Sequence, residues 1–123
     1  MTSAVLKLIN KKLTEIGINY EFGVWTSELT YPYFVGTYTE SPSVTEDGKQ
    51  EIAFLLDGFT TGTWSDLENA KAKIENCFSN YTAILENHSG VAVLYENALI
   101  IPTGDANLKR IEINLTIKEW SVN

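Results

Sequence analysis

An α+β domain is expected here, with two helices packed on one face of a mostly antiparallel β-sheet, in the order α-β-β-β-α-β-β-β. Two stretches place apolar residues at helical spacing. Several others are rich in β-branched and aromatic residues, the last of them alternating strictly in polarity. Glycine- and asparagine-marked turns separate these stretches, and no linker, repeat or low-complexity run interrupts them. The 123 residues suit one domain, 1–123, able to build its own core.

The first helix is read from Thr2 to Ile16. Val5, Leu6, Ile9, Leu13 and Ile16 share one face, while Lys7, Lys11, Lys12 and Glu15 fall largely on the other. Thr2 or Ser3 can cap it and Gly17 can end it. This helix is expected to pack on the core, the alternative being a lever against a neighbouring subunit. A short strand follows from Ile18 to Trp25, then a longer one from Leu29 to Glu40. Pro32 lacks an amide donor and marks a strand start or an edge. Gly36 signals a bulge or a close backbone approach. Asp47-Gly48 is a strong turn signal, so residues 40–49 are expected to form an exposed acidic hairpin arm.

Lys49 to Phe59 is the return strand. Ile52, Phe54 and Leu56 alternate with Glu51, Ala53, Leu55 and Asp57, and the apolar run Ala53-Phe-Leu-Leu predicts a strand covered on both faces for part of its length. Ser65 and Glu68 fit a capping box for the second helix, and Thr63 with Asp66 fits an overlapping one. That helix is expected to bury Leu67, Ala70, Ile74, Cys77 and Phe78 and to turn Lys71, Lys73 and Glu75 outward. Tyr81–Glu86 and Val91–Tyr95 read as a hairpin about Asn87-His-Ser-Gly, with a further short strand from Ala98. From Leu108 to Trp120, Ile111, Ile113, Leu115 and Ile117 face one way. Arg110, Glu112, Asn114, Thr116 and Lys118 face the other, toward solvent or a partner.

Nine Lys/Arg against sixteen Asp/Glu give a net charge of −7. Such a chain repels phosphate backbones, and its basic residues form only isolated doublets, so no direct nucleic-acid binding is expected. No run approaches the roughly 20 apolar residues of a membrane span, so no membrane contact is expected. The first residues lack the basic-then-apolar pattern of a signal peptide. One cysteine, Cys77, permits no intrachain disulfide, which suits a reducing compartment.

Reactive chemistry finds little support. His88 is the only histidine and lies in a turn, while Cys77 falls on an apolar helical stripe. Neither residue has the partners that nucleophilic catalysis needs. One Cys and one His cannot build a zinc site, and no carboxylate spacing matches a calcium loop. Gly58-Phe-Thr-Thr-Gly62 superficially resembles a phosphate loop but lacks its Lys-Ser/Thr, and a turn plus a helix cap accounts for it. No enzyme, cofactor or metal is expected. What stands out is a surplus of aromatic residues suited to interfaces, with Tyr31-Pro-Tyr-Phe on a proline-marked edge as the leading patch. The interaction candidates are Tyr31, Tyr33, Phe34, Tyr38, Glu46, Asp47 and Trp120.

One resemblance covers nearly the whole chain. It is carried by Tyr20-Glu-Phe with Trp25, Tyr31-Pro-Tyr-Phe-Val-Gly, Glu46-Asp-Gly and Gly58-Phe-Thr-Thr-Gly-Thr-Trp-Ser-Asp-Leu-Glu. Ala98-Leu-Ile-Ile-Pro-Thr-Gly-Asp-Ala-Asn-Leu-Lys-Arg-Ile and Ile117-Lys-Glu-Trp continue it. These motifs, structural rather than chemical, resemble phage or prophage tail-completion proteins, the tail terminators of long-tailed phages of Gram-positive hosts. The resemblance implies a virion tail component, assembled in the host cytoplasm, that forms a ring, commonly a hexamer. Its implied partners are further copies of itself, the tail-tube protein and the head-connector protein. An acidic ring would let DNA pass without adhering. The alternative is a small cytosolic α+β ligand-binding or enzymatic domain with an unrecognised pocket.

Overall fold

The computed structural model describes residues 2–40, 49–85 and 88–120. The element order is α1 (Ser3–Glu15), β1 (Tyr20–Phe22), β2 (Tyr33–Glu40), β3 (Lys49–Thr60), α2 (Trp64–Phe78), β4 (Tyr81–Ile84), β5 (Gly90–Ile101) and β6 (Lys109–Trp120). The strands form one six-stranded sheet ordered β1-β2-β3-β6-β5-β4, antiparallel except where β1 joins β2 in parallel. The expected α+β order is therefore the observed one.

The sheet is built on the β3–β6 pair, whose register runs unbroken from Lys49↔Trp120 to Thr60↔Lys109. Because side chains alternate across a strand, this register sets Ile52 beside Ile117, Phe54 beside Leu115 and Leu56 beside Ile113 on one face. All six side chains are buried. The helices cover that face: Val5, Ile9 and Leu13 of α1 and Leu67, Ala70, Ile74 and Phe78 of α2 join the same core cluster. The buried positions of α1 follow the periodicity, while Leu6 and Ile16 are only partly buried. Cys77 also sits at the margin of the cluster rather than inside it.

Backbone space is tight where strands cross under aromatic rings. A Cβ on Gly58 would lie 2.3 Å from the Phe34 ring, its register neighbour on β2. One on Gly36 would lie 2.7 Å from the Tyr20 ring and 2.8 Å from Phe54, so close approach, not a bulge, explains that glycine. The bulge is instead in β5, between Tyr95 and Asn97. The stretch from Ala98 is not a separate strand but the far half of β5.

Several local expectations change. The strand read from Ile18 to Trp25 contracts to three residues, Tyr20–Phe22. The next strand begins at Tyr33, directly after Pro32, as an amide-lacking residue requires. β3 is not covered on both faces: Ala53 is exposed and Leu55, Asp57 and Phe59 are half-buried on the side away from the helices. The α2 cap is the Thr63–Asp66 box, not Ser65–Glu68. Thr63 Oγ1 accepts from the Asp66 amide at 3.3 Å, and Asp66 Oδ2 accepts from the Thr63 amide at 3.0 Å. Helix α2 therefore starts two residues earlier than a Ser65 cap would place it. Thr2 is the N-cap of α1 without a side-chain cap bond; its hydroxyl donates instead to Glu119 Oε2 at 2.7 Å. That bond draws the largely buried Glu119 carboxylate toward the positive end of α1.

Two stability tests follow. Thr63→Ala is expected to lower unfolding stability by about 1 kcal/mol in urea titrations, and Ser65→Ala to leave it within about 0.5 kcal/mol. Gly58→Ala, which drives a methyl group into the Phe34 ring, is expected to lose about 1–3 kcal/mol in the same assay.

Candidate assembly surface

With both helices on one face, the other face of the sheet carries no covering element among the described residues. It presents Tyr33, Val35, Thr37 and Thr39 from β2, Ala53, Leu55, Asp57 and Phe59 from β3, and the even-numbered residues Arg110 to Trp120 from β6. The pattern is mixed rather than apolar, as on a surface that stays wet or meets a polar partner.

An aromatic run crosses one end of this face. The Tyr33 ring lies 4.9 Å from Trp25, 5.7 Å from Tyr31 and 5.2 Å from Phe59, centroid to centroid. The Arg110 guanidinium stands 5.6 Å from the Phe59 centroid and donates from Nη2 to Asp57 Oδ1 at 2.8 Å. The Asp57 contact holds the guanidinium in place beside the ring, which favours stacking by a delocalised cation. Burial raises the Tyr33 hydroxyl above the usual phenol pKa, with a smaller contribution from Tyr31. Farther along the face, Asn114 Nδ2 donates to Asn97 Oδ1 and Thr116 Oγ1 to Glu96 Oε1, both at 2.8 Å. Polar side chains there are tied to one another across β6 and β5.

The proposed interaction residues separate under this geometry. Tyr33 is half-buried within the aromatic run, and Tyr31 is 40% exposed beside it. Phe34 points to the helix side and is fully buried, so it offers no surface to a partner. Tyr38 also faces the helix side, stacked on Phe22 at 5.8 Å. Trp120 lies on the open face at the far end, its ring against Gly90, where a Cβ would approach to 2.3 Å. Glu46 and Asp47, with the 41–48 part of the expected arm, fall outside the described residues. The Tyr31–Val35 segment is not an edge as expected, because β1 flanks β2 from Phe34 to Gly36. Phe59, Arg110 and Asp57 were missed as members of the patch. Their signal was available: each occupies the off-core register of a strand whose alternate positions are plainly core.

The residues weighed for chemistry stay apart from this surface. His88 is exposed with a left-handed φ of 66°, closing a turn in which its amide donates to the Leu85 carbonyl at 2.9 Å. The Cys77 thiol is pushed up mainly by burial, with Lys12 opposing the shift and Glu15 adding to it. A raised thiol holds less thiolate at neutral pH and is a poorer nucleophile. Among the described residues no three His, Cys, Asp or Glu side chains come together as metal ligands. Where a phosphate loop would receive its anion, the Asp66 carboxylate already occupies the start of α2, close enough that a Cβ on Gly62 would meet Asp66 Oδ2 at 2.4 Å. An open cleft of about 450 Å³ between α1 and the segment after β1 is lined by Leu6, Lys7, Tyr20, Phe22 and Val24.

No protein-family model matches the chain, and no curated protein matches it. Among solved structures it is similar to a chain from "Virion of native gene transfer agent (GTA) particle", with a TM-score of 0.70 and 14% sequence identity. The alignment covers 97% of this chain and 93% of that one. The two chains share a fold. At this identity the likeness lies in backbone arrangement, over both helices and the whole sheet rather than a submotif.

Substitutions distinguish surface from core here. Phe34→Ala is expected to lose about 3–5 kcal/mol in urea unfolding, as a fully buried aromatic does, while Tyr31→Ala is expected to stay within about 1 kcal/mol. For Cys77, the native chain is expected to react with a disulfide reagent at neutral pH more slowly than the urea-unfolded chain. The rate should climb as pH rises through the elevated thiol pKa, because only then does thiolate accumulate.

Proposed function

We propose that this chain is a structural component of a phage-like virion: a ring-forming tail terminator that caps the tail tube and joins it to the head connector. The observation that carries the reading is the near end-to-end fold likeness to a chain of a gene transfer agent virion. The tail-terminator assignment within that class rests on the motif resemblance of Tyr31–Gly36, Gly58–Glu68 and Ala98–Ile111. The partners are further copies of the chain, a tail-tube protein and a head-connector protein, with assembly in the host cytoplasm and residence in the virion tail.

The geometry supports a role by contact. A sheet covered on one face only leaves a broad second face, and Tyr33, Tyr31 and Trp25 supply the rigid, amphipathic rings that interfaces favour. A ring of identical subunits needs two different patches on each, related by a rotation that closes. The aromatic end and the Trp120 end of the open face lie well apart along β3 and β6, so the two ends can meet different partners.

Sedimentation velocity of the purified chain, alone and with the tail-tube protein of the same particle, tests this reading. A single closed assembly of defined copy number is expected, at least in the presence of the tube. A chain that stays monomeric under both conditions would overturn it. Tyr33→Ala is expected to reduce the assembled fraction while moving the urea midpoint little; a large loss of stability with normal assembly would assign Tyr33 to the core.

A further inference from the structure

The sheet's two outer strands are much shorter than the strands they flank. β1 pairs with β2 only over Phe34–Gly36, and β4 pairs with β5 only over Gly90–Val93. Beyond those contacts, Thr37–Thr39 of β2 and Leu94–Ile101 of β5 have a strand neighbour on one side only among the described residues. A strand with one neighbour directs alternate N–H and C=O groups outward, a template for another chain. From these edges, and resting on the ring reading above, we propose that neighbouring copies join edge to edge. The outer side of β5 in one copy pairs with the outer side of β2 in the next, so the sheet continues from subunit to subunit.

The β5 edge carries one of the usual protections, the bulge between Tyr95 and Asn97, and none from Ala98 to Ile101. Natural edges are blunted by lysine, proline, bulges or inward charges. Leu94–Ile101 contains neither lysine nor proline, and its one charge, Glu96, sits at the bulge and is engaged by Thr116 across the open face. After the bulge come Ala98, Leu99, Ile100 and Ile101. Leu99 is 43% exposed on the open face and Ile100 48% exposed on the helix face. An edge apolar on both faces is an aggregation site unless something covers it in the working state.

The occupant follows from strand direction. β2 is antiparallel to β3, β3 to β6 and β6 to β5, so β2 and β5 run in opposite senses. In a ring every copy keeps the same orientation about the axis. The β5 edge of one copy therefore meets the β2 edge of the next antiparallel, the more stable pairing. The contact is heterologous, using a different surface on each side, which is what closure requires. The two open edges are also diagonal. β1 blocks the end of β2 nearer Tyr33, and β4 blocks the end of β5 nearer Trp120, so the pairing carries the stagger that a closed sheet needs. Thr37 and Thr39 lie on the open face, as do Asn97, Leu99 and Ile101. A continuous sheet brings those two sets opposite one another.

Cross-linking between separately made variants tests the pairing. In a Cys77→Ser background, Thr39→Cys and Leu99→Cys chains are purified, mixed in equal amounts under assembling conditions and oxidised; Thr37→Cys, Asn97→Cys and Ile101→Cys cover the neighbouring registers. Circular dichroism verifies that each variant folds, and sedimentation that each mixture assembles. The expected result is a disulfide-linked dimer in at least one β2–β5 mixture and in neither of its components alone. Dimers formed by Leu99→Cys chains alone would mean a two-fold β5–β5 contact and overturn the pairing. An assembled ring with no cross-link in any mixture would overturn it too, leaving the ring reading in place. A chain that never assembles, with or without the tail tube, removes both.

Discussion

The antiparallel ladder between β3 and β6 is the constraint on which the other elements rely. Its register from Lys49↔Trp120 to Thr60↔Lys109 decides which side chains meet the helices and which do not. A slip of one residue would turn Ile52, Phe54 and Leu56 to the uncovered face and bring Glu51, Ala53 and Asp57 under α1 and α2. The apolar content of the two faces makes that alternative costly, so the register is strongly specified. β2 follows because Phe34 packs its ring over Gly58, and β5 follows because Val93 and Ala98 extend the same buried rows. The helices then close the core and leave the opposite face uncovered.

That asymmetry links fold to function. A chain with buried reactive groups and a deep pocket would point to chemistry. Here the thiol is raised by burial and the lone histidine closes an exposed turn. The helix start that resembled a phosphate loop is already filled by Asp66. What the fold does supply is area and edges: an aromatic run held by Tyr33, a polar ladder across β5 and β6, and two overhanging strands. Interfaces draw on such features, and the fold itself occurs in a virion particle.

Much of this was legible in the chain. The alternation of Ile111, Ile113, Leu115 and Ile117 identified both the last strand and its core face, because a half-buried strand writes its burial with a period of two. The apolar stripes of α1 and α2 were equally readable. Three things were not. Pairing of β1 with β2 involves only three residues brought together across a loop, and no local pattern announces a short parallel contact. Phe34 looked like its aromatic neighbours Tyr31 and Tyr33, but register, not residue type, sent it to the core. The choice between two overlapping capping boxes turned on where α2 begins, a matter of two residues that side-chain patterns leave degenerate. On the candidate surface, the off-core placing of Phe59 and Arg110 could be read from alternation, while their contacts with Tyr33 and Asp57 could not, since these depend on cross-strand neighbours.

If it serves as proposed, this chain is built into a particle at the junction of head and tail. Immunogold labelling of particles released by the producing host, with antibodies raised against the purified chain, tests it most directly. Gold confined to the head-proximal end of the tail is the expected result. Particles that carry no label, while the chain is readily detected in the host lysate, would contradict it.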